Sequence, residues 1–359
     1  MTRLRPMAVD GGAPRWAEAF PALQAEGLGL VDVGARDGFH PAFNEIAPLA
    51  HLVGFEPDAS ECRRLEARAG ASARFRSIRW LPVALGEADG ERPLYFCRSP
   101  GASSLYAPDR RFLDRFPDAS RFDVTDTRTV TVRALDSLVA EGGLPSRIGF
   151  LKVDTQGSEL QILRGARRVL EEQAVAVEVE VEFAPMYSGQ PLFRDLDAFL
   201  AECGFSLFGL RRFHWVRKVS GTAAEPSLNA GQLIFGEALY LKDPLGGAGG
   251  RISASWQAEA LVQLALLFDL HDVALELLGS PALGRLVDRE AVTSFIAQRS
   301  ARLTRPKNWR GRLGRLGAVY LVLRRWPQLK GLFSFSQQYE ASWARADADF
   351  HSRLRDGGR

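Results

Sequence analysis

Three stretches of this chain place chemically useful residues where a strand hands over to a turn. The first is Val31-Asp32-Val33-Gly34-Ala35-Arg36-Asp37-Gly38. A strand running into a glycine turn lets backbone approach a cofactor at the edge of an α/β sheet. Gly34 and Gly38 are spaced G-x-x-x-G, and the stretch holds neither G-x-G-x-x-G nor G-K-[ST], so it suits a pyrophosphate badly. A carboxylate before the first glycine suits a cofactor with a cationic amino-acid end. The bland reading is a plain strand–turn–helix corner. The second stretch ends on Glu56, 22 residues after Gly34. A carboxylate there offers two acceptor oxygens to the hydroxyls of an adenosine ribose, as NAD or S-adenosylmethionine (SAM) would need. The third is Leu151-Lys152-Val153-Asp154-Thr155-Gln156-Gly157-Ser158-Glu159. Asp154 falls where a parallel strand ends, and Gly157 allows an unusual turn. Glu159 in the first helical turn is accounted for by the helix dipole alone.

Residues 174–183 alternate strictly, with Glu178, Glu180 and Glu182 on one face. Three like charges on one strand face imply that the face opens to solvent or to a site. An exposed sheet edge accounts for Glu178 and Glu182. Crowding would raise at least one carboxylate pKa, which suits a base. The five histidines show no ligand spacing, and Cys62, Cys97 and Cys203 are far apart, so no metal site is expected. Clustered carboxylates holding Mg²⁺ are the alternative. Ser103 and Ser104 have no local base and read as polar contacts near cofactor or acceptor.

These residues need a scaffold of alternating strands and helices. Strands are expected at 28–33, 52–56, 78–85, 148–153, 174–183, 205–210 and 232–241, the last two antiparallel with a loop at 220–231. A helix with Phe43, Ile46, Leu49 and Ala50 on one face follows the glycine turn. Another starts at Asp58, with Glu61 completing a capping-box-like signal, and ends at Gly70. Leu160, Leu163, Ala166, Val169 and Leu170 fit one continuous helical face. Residues 86–133 read as an insertion that walls the site. Residues 1–14 form a flexible tail, 15–243 the main domain, 244–250 a glycine-rich linker, and 251–359 a helical, locally basic region.

The chain has 359 residues, 46% of them hydrophobic and 25% charged, with a net charge of +3. That composition fits an ordinary globular protein and excludes wholesale disorder. No stretch approaches the ~20 apolar residues of a membrane span, and the N-terminus lacks the apolar core of a signal peptide. Sparse cysteines point to a cytoplasmic setting. From Ala291 to Tyr339 there are ten basic residues and no acidic one, with Trp309, Tyr320 and Trp326 interleaved. Such a segment, 291–339, suits an anionic membrane surface or a glycolipid, or else is a solvated face packed on the main domain.

In order along the chain, DVGARDG, GFEP, PVALGEADGERPLYF, GASSL, VRALDSL, FLKVDTQGSELQILRGA, EVEFAPMYSGQPLFRDLDAFLAECGF and LIFGEALYLKDP resemble the FkbM family of SAM-dependent methyltransferases, over about residues 27–243. The resemblance implies a class I methyltransferase fold, with seven strands and the last antiparallel. It implies SAM as cofactor, bound by Asp32, Gly34, Ala35, Gly38, Glu56, Pro57 and Ala84. It also implies O-methylation of a hydroxyl on a sugar, glycan or related metabolite, with no nucleic acid as partner. Asp154 is the first candidate base, followed by Glu159 and Glu180. Arg36 and His40 depart from the family's usual residues near the cofactor's methionine end. The competing readings are a non-catalytic SAM-binding scaffold and a dinucleotide-dependent oxidoreductase.

Overall fold

The computed structural model describes residues 20–36, 38–39, 41–69, 74–218, 231–246, 250–304 and 344–346. The 1–14 tail, Asp37, His40, Gly70, nearly all of the 220–231 loop and residues 305–339 of the basic run lie outside the described residues.

The elements run α1 (Pro21–Glu26), β1 (Leu28–Val33), β2 (Ala50–Phe55), α2 (Ala59–Ala69), β3 (Ser77–Leu81), β4 (Ala84–Leu85), β5 (Gly90–Cys97), α3 (Arg110–Leu113), β6 (Val124–Arg133), α4 (Leu135–Ala140), β7 (Ile148–Val153), α5 (Glu159–Arg164), α6 (Arg167–Glu172), β8 (Ala176–Glu182), α7 (Phe193–Glu202), β9 (Phe205–Trp215), β10 (Gln232–Lys242), α8 (Ser255–Leu267), α9 (His271–Gly279), α10 (Arg289–Thr304) and β11 (Ala344–Ala346). The main sheet has the order β3-β2-β1-β7-β8-β10-β9, and β11 extends the β9 edge. β1, β2, β3, β7 and β8 pair in parallel, while β10 is antiparallel to both β8 and β9. This is the class I methyltransferase arrangement, with the last of seven strands reversed. A second sheet, β4-β6-β5, carries the expected insertion.

Several local expectations give way to tertiary contacts. The segment after the glycine turn is two 3₁₀ stretches, Pro41–Glu45 and Ala47–Leu49, and not an α-helix. Pro48 lacks the N–H that a continuous ladder through 41–50 would need. The expected strand 78–85 is split, because Ala84 and Leu85 leave the main sheet to pair with β6. The continuous face over 160–170 is two helices broken at Gly165. A Cβ there would lie 1.9 Å from the Gly86 carbonyl oxygen, so chain 86–87 packs directly on the break. Glu61 does not close a capping box, since its carboxylate takes the Arg64 guanidinium. Asp58 does cap α2, accepting from the Ser60 N–H at 2.9 Å. β8 is a central strand, so the exposed-edge reading of Glu178 and Glu182 is wrong: Glu182 is fully buried.

The two faces of the sheet divide the work. One packs Val31, Val33, Leu151, Val153, Val177 and Val179 against α4–α7. The other begins apolar, with Leu28, Leu30, Phe150, Ala176, Leu239 and Leu241 under α8 and α9. Two residues further along the same strands it becomes charged: Asp32, Lys152 and Glu178 stand in register on β1, β7 and β8, and Glu180 pairs with Glu237 one row on. The side-chain period of two carries the face from core to site within one strand. α8 is no appendage beyond a linker. It is buried from Gln257 to Leu267, as its lack of a polar stripe requires. Its Gln257 Oε1 accepts the Ser253 and Ala254 N–H groups, and its Glu259 carboxylate accepts the Ala22 and Leu23 N–H groups of α1 at 3.0 and 2.9 Å. Leu275 of α9 is exposed.

The Gly165 contact is with backbone, which cannot swing aside. Gly165→Ala is expected to lower stability by about 1–3 kcal/mol, measured by denaturant unfolding.

Candidate active site

The glycine turn is stitched to both neighbouring strands. Gly34 and Ala35 donate to the Phe55 carbonyl at 3.0 and 3.3 Å, and Asp154 donates to the Val33 carbonyl at 3.0 Å. Gly34 has φ +83°, and a Cβ would sit 1.8 Å from the Asp154 carbonyl oxygen, so this position demands glycine. Gly38, also at positive φ, donates to the Ala35 carbonyl and closes the turn.

Asp32 is 1% exposed, and neither of its carboxylate oxygens has a hydrogen-bond partner. Burial raises its pKa, opposed by Lys152, whose ammonium stands 3.7 Å away. A buried carboxylate left open beside a glycine turn is the acceptor that a cationic amino-acid end requires. Glu56 ends β2. Its Oε1 accepts the Asp58 N–H at 2.9 Å, and Oε2 has no partner among the described residues. Burial raises Glu56, and the Asp58 amide and Arg36 oppose the rise. Arg36 turns back to pair with Asp58 at 3.5 Å, which sets this departure from the family pattern beside the expected ribose position. Glu56 donates its N–H to Leu81, as does Val83, which brings Pro57 and the buried Ala84 to the same rim.

The second half of the site is a carboxylate cluster. The Lys152 ammonium lies 3.7 Å from Asp32 and 3.5 Å from Asp154. Burial would lower its pKa, but Asp32, Asp154, Glu178 and Glu237 outweigh burial and hold it high and charged. Glu178 is pushed up to about 7 by burial, with Lys152 opposing. Glu180 is raised well above the usual range by burial and then by Asp154 and Glu182. Glu182 is raised likewise by burial and by Glu159 and Asp154. Gln156 bridges two members, its Nε2 donating to Asp154 at 3.3 Å and to Glu180 at 2.6 Å.

Glu159 stands apart from the other candidate bases. Its Oε1 accepts the Thr155 N–H and hydroxyl at 2.7 and 3.0 Å, and its Oε2 accepts the Gly157 N–H at 2.9 Å. Burial still pushes it up to about 7. It braces the turn after β7. Asp154 and Glu180, joined through the Gln156 amide, are the two of the three that do not hold that turn. Among the described residues, no three His, Cys, Asp or Glu side chains are grouped to hold a metal ion.

Lys152, Gln156, Ser104, Tyr187 and Glu237 complete the constellation. Lys152 was visible as a charge inside an apolar strand. Ser104 had been read only as a polar contact, and its hydroxyl donates to the Gln156 carbonyl at 2.7 Å.

Residues 32–207 match the profile of the Methyltransferase FkbM domain. The chain carries an FkbM methyltransferase domain. The matched span runs from Asp32 through the insertion and β8 into β9. Two curated relatives are similar to it: the AMB antimetabolite synthetase AmbE of Pseudomonas aeruginosa, 29% identical over 38% of this chain, and Methyltransferase 1 of Beauveria bassiana, 27% identical over 38%. The matches span 7% and 57% of those proteins. Among solved structures, the chain is similar to StiE O-MT (9% identity, TM-score 0.32, 71% of this chain and 80% of that one). It is also similar to a 16S rRNA (adenine(1408)-N(1))-methyltransferase of Catenulisporales acidiphilia (15% identity, TM-score 0.30, 66% and 95%).

Lys152 compensates the carboxylates around it. Lys152→Met is expected to cost about 3–5 kcal/mol near neutral pH, the cost of breaking a buried pair. Without the cation, the folded-state pKa values of Asp32 and Glu178 rise further above their unfolded values. The protonated forms then fold best, and stability falls as pH rises through the folded pKa values. Thermal unfolding at pH 5.5 and 8 should show the larger deficit at pH 8.

Proposed function

We propose that the FkbM domain binds SAM and methylates a hydroxyl oxygen of a sugar, glycan or related small metabolite. The observation that carries the reading is Asp32: a buried carboxylate that accepts no hydrogen bond at either oxygen, with only the Lys152 ammonium 3.7 Å away, beside a turn that only glycine can make. Asp32 would hold the ammonium end of SAM, Glu56 Oε2 a ribose hydroxyl, and Gly34, Ala35, Gly38, Pro57 and Ala84 the surfaces between. When bound, SAM supplies a methyl carbon activated by attachment to a sulfonium. Asp154 accepts the acceptor hydroxyl's proton as oxygen attacks. Its side chain is 39% exposed against 21% for Lys152, so an acceptor can reach it. Lys152 stabilises the charge arrangement, and positioning supplies much of the rate. The insertion and the residues after β8 choose the acceptor.

No specific observation favours the oxidoreductase or the scaffold reading. The three described cysteines are free and buried, which accords with a cytoplasmic setting. Among the described residues, no helix is long and apolar enough to cross a membrane. For the basic run 291–339, composition alone supports contact with an anionic membrane surface or glycolipid.

Two variants test the reading. Glu56→Ala should lose most SAM affinity in calorimetry while unfolding like the wild type, because it removes rim hydrogen bonds and no core packing. Undiminished SAM binding would remove Glu56 from the cofactor site. Asp154→Asn should bind SAM normally and lose roughly 10²–10⁴-fold in methyl transfer, followed with isotopically labelled SAM on cell-extract fractions. Near-normal turnover would exclude Asp154 as the base.

A further inference from the structure

Gln156 is the residue through which the insertion touches the carboxylate cluster. It sits between two glutamate-held amides, Thr155 N–H and Gly157 N–H, in a left-handed conformation with φ +60°. A non-glycine residue persists there only when its surroundings over-determine it. The surroundings of Gln156 hold its carbonyl and both atoms of its side-chain amide. Its carbonyl accepts the Ser104 hydroxyl at 2.7 Å. Its Nε2 spends one hydrogen on Asp154 and the other on Glu180. Its Oε1 lies 3.3 Å from the Tyr187 hydroxyl, whose single proton it shares with the Ala102 carbonyl at 2.9 Å. Ser104 and Ala102 belong to the loop between β5 and α3, and Tyr187 follows β8. The Phe122 ring packs beside Tyr187, Trp215 packs beside Phe122, and Phe116 packs beside Trp215.

An amide is the one side chain that can make this set of contacts. A carboxylate would add a third negative charge between Asp154 and Glu180, and an ammonium could not accept from Tyr187. We infer that Gln156 is a positioning residue for methyl transfer: its amide fixes the Asp154 carboxylate against Glu180, and its carbonyl and Oε1 tie that geometry to the insertion that receives the acceptor. The assignment rests on Asp154 acting as base. Gln156 touches no reacting atom and acts through Asp154. Substrate binding that displaces the Ser104 loop would therefore also move the base.

The charged and titratable groups facing this junction are Asp32 from β1, Lys152 from β7, Glu178, Glu180 and Glu182 from β8, Glu159 from α5, Tyr187 after β8, and Glu237 from β10, itself paired with Arg211 of β9. With one cation facing so many carboxylates, a new carboxyl at 156 would be driven toward its protonated form in the folded state. When protonated it has the shape of glutamine and donates one O–H; when ionised it repels both neighbours.

The test compares wild type, Gln156→Leu and Gln156→Glu in full-length protein. In methyl transfer to the labelled extract fraction, Gln156→Leu should be slower by roughly tenfold or more at every pH. Gln156→Glu should recover activity on the acid side and lose it as pH rises. SAM affinity by calorimetry should stay within about twofold of wild type in both, because neither change touches Asp32 or Glu56. A residue that merely fills the turn would give both variants the wild-type pH profile, and that result overturns the assignment. Thermal unfolding supplies a readout independent of any acceptor. The folded pKa of the introduced carboxyl is raised, so its stability is present below the unfolded carboxyl pKa and lost with rising pH. The Tm deficit of Gln156→Glu should therefore widen by about 3 °C or more between pH 5.5 and 8. A flat deficit overturns the placement of Gln156 between the two carboxylates. If wild-type protein neither binds SAM nor transfers methyl, the proposed function fails, and the unfolding comparison still decides the placement.

Discussion

The ammonium of Lys152, held between Asp32 and Asp154, is the interaction on which the charged half of the sheet depends. β1, β7 and β8 are interior strands, and side chains on their shared face cannot all be carboxylates without a counter-charge. Placing the cation on the middle strand lets one residue serve both neighbours. It stabilises Asp32 on β1 and Asp154 just beyond β7 at once.

The insertion is joined to that row by a different kind of contact. Phe112, Phe116, Phe122, Tyr187 and Trp215 form a small core of their own, separate from the two cores that flank the sheet. Aromatic rings give such a satellite rigidity with few residues. The polar tip of Tyr187 then reaches out of this core to Gln156. A packed wall thus ends in one hydrogen-bonding group beside the turn after β7, so packing in the insertion is transmitted through Gln156 to Asp154.

Much of this was legible in the residues. The strands at 28–33 and 148–153 and the reversal of the last strand follow from apolar runs and turn chemistry, and the carboxylates Asp32, Glu56 and Asp154 were visible at strand ends. Contacts between distant segments were not legible. Nothing near Gly165 signals that Gly86 will press against it, and the periodicity of 160–170 suggested an unbroken helix. The alternation of glutamates in β8 was plain, but its meaning was not: an edge and a charge-filled interior have the same period. The counter-charge lay on another strand, at Lys152. The helix dipole was enough to account for Glu159 in the sequence, and its role as acceptor for Thr155 and Gly157 emerges only in three dimensions. The burial of α8 was not read from the sequence, because a run of glycines set it apart from the domain.

That burial has a consequence for how the chain comes into being. Glu259 caps the amides of α1 across 237 positions of sequence, and α8 covers the apolar half of the face formed by β1 and β7. A ribosome releases the chain from its N-terminus, so the first strand emerges long before the helix that shields it. During synthesis the nucleotide-fold half must wait with one side uncovered. Its completion is timed by the arrival of residues beyond the segment that evolution shares with other methyltransferases of this kind.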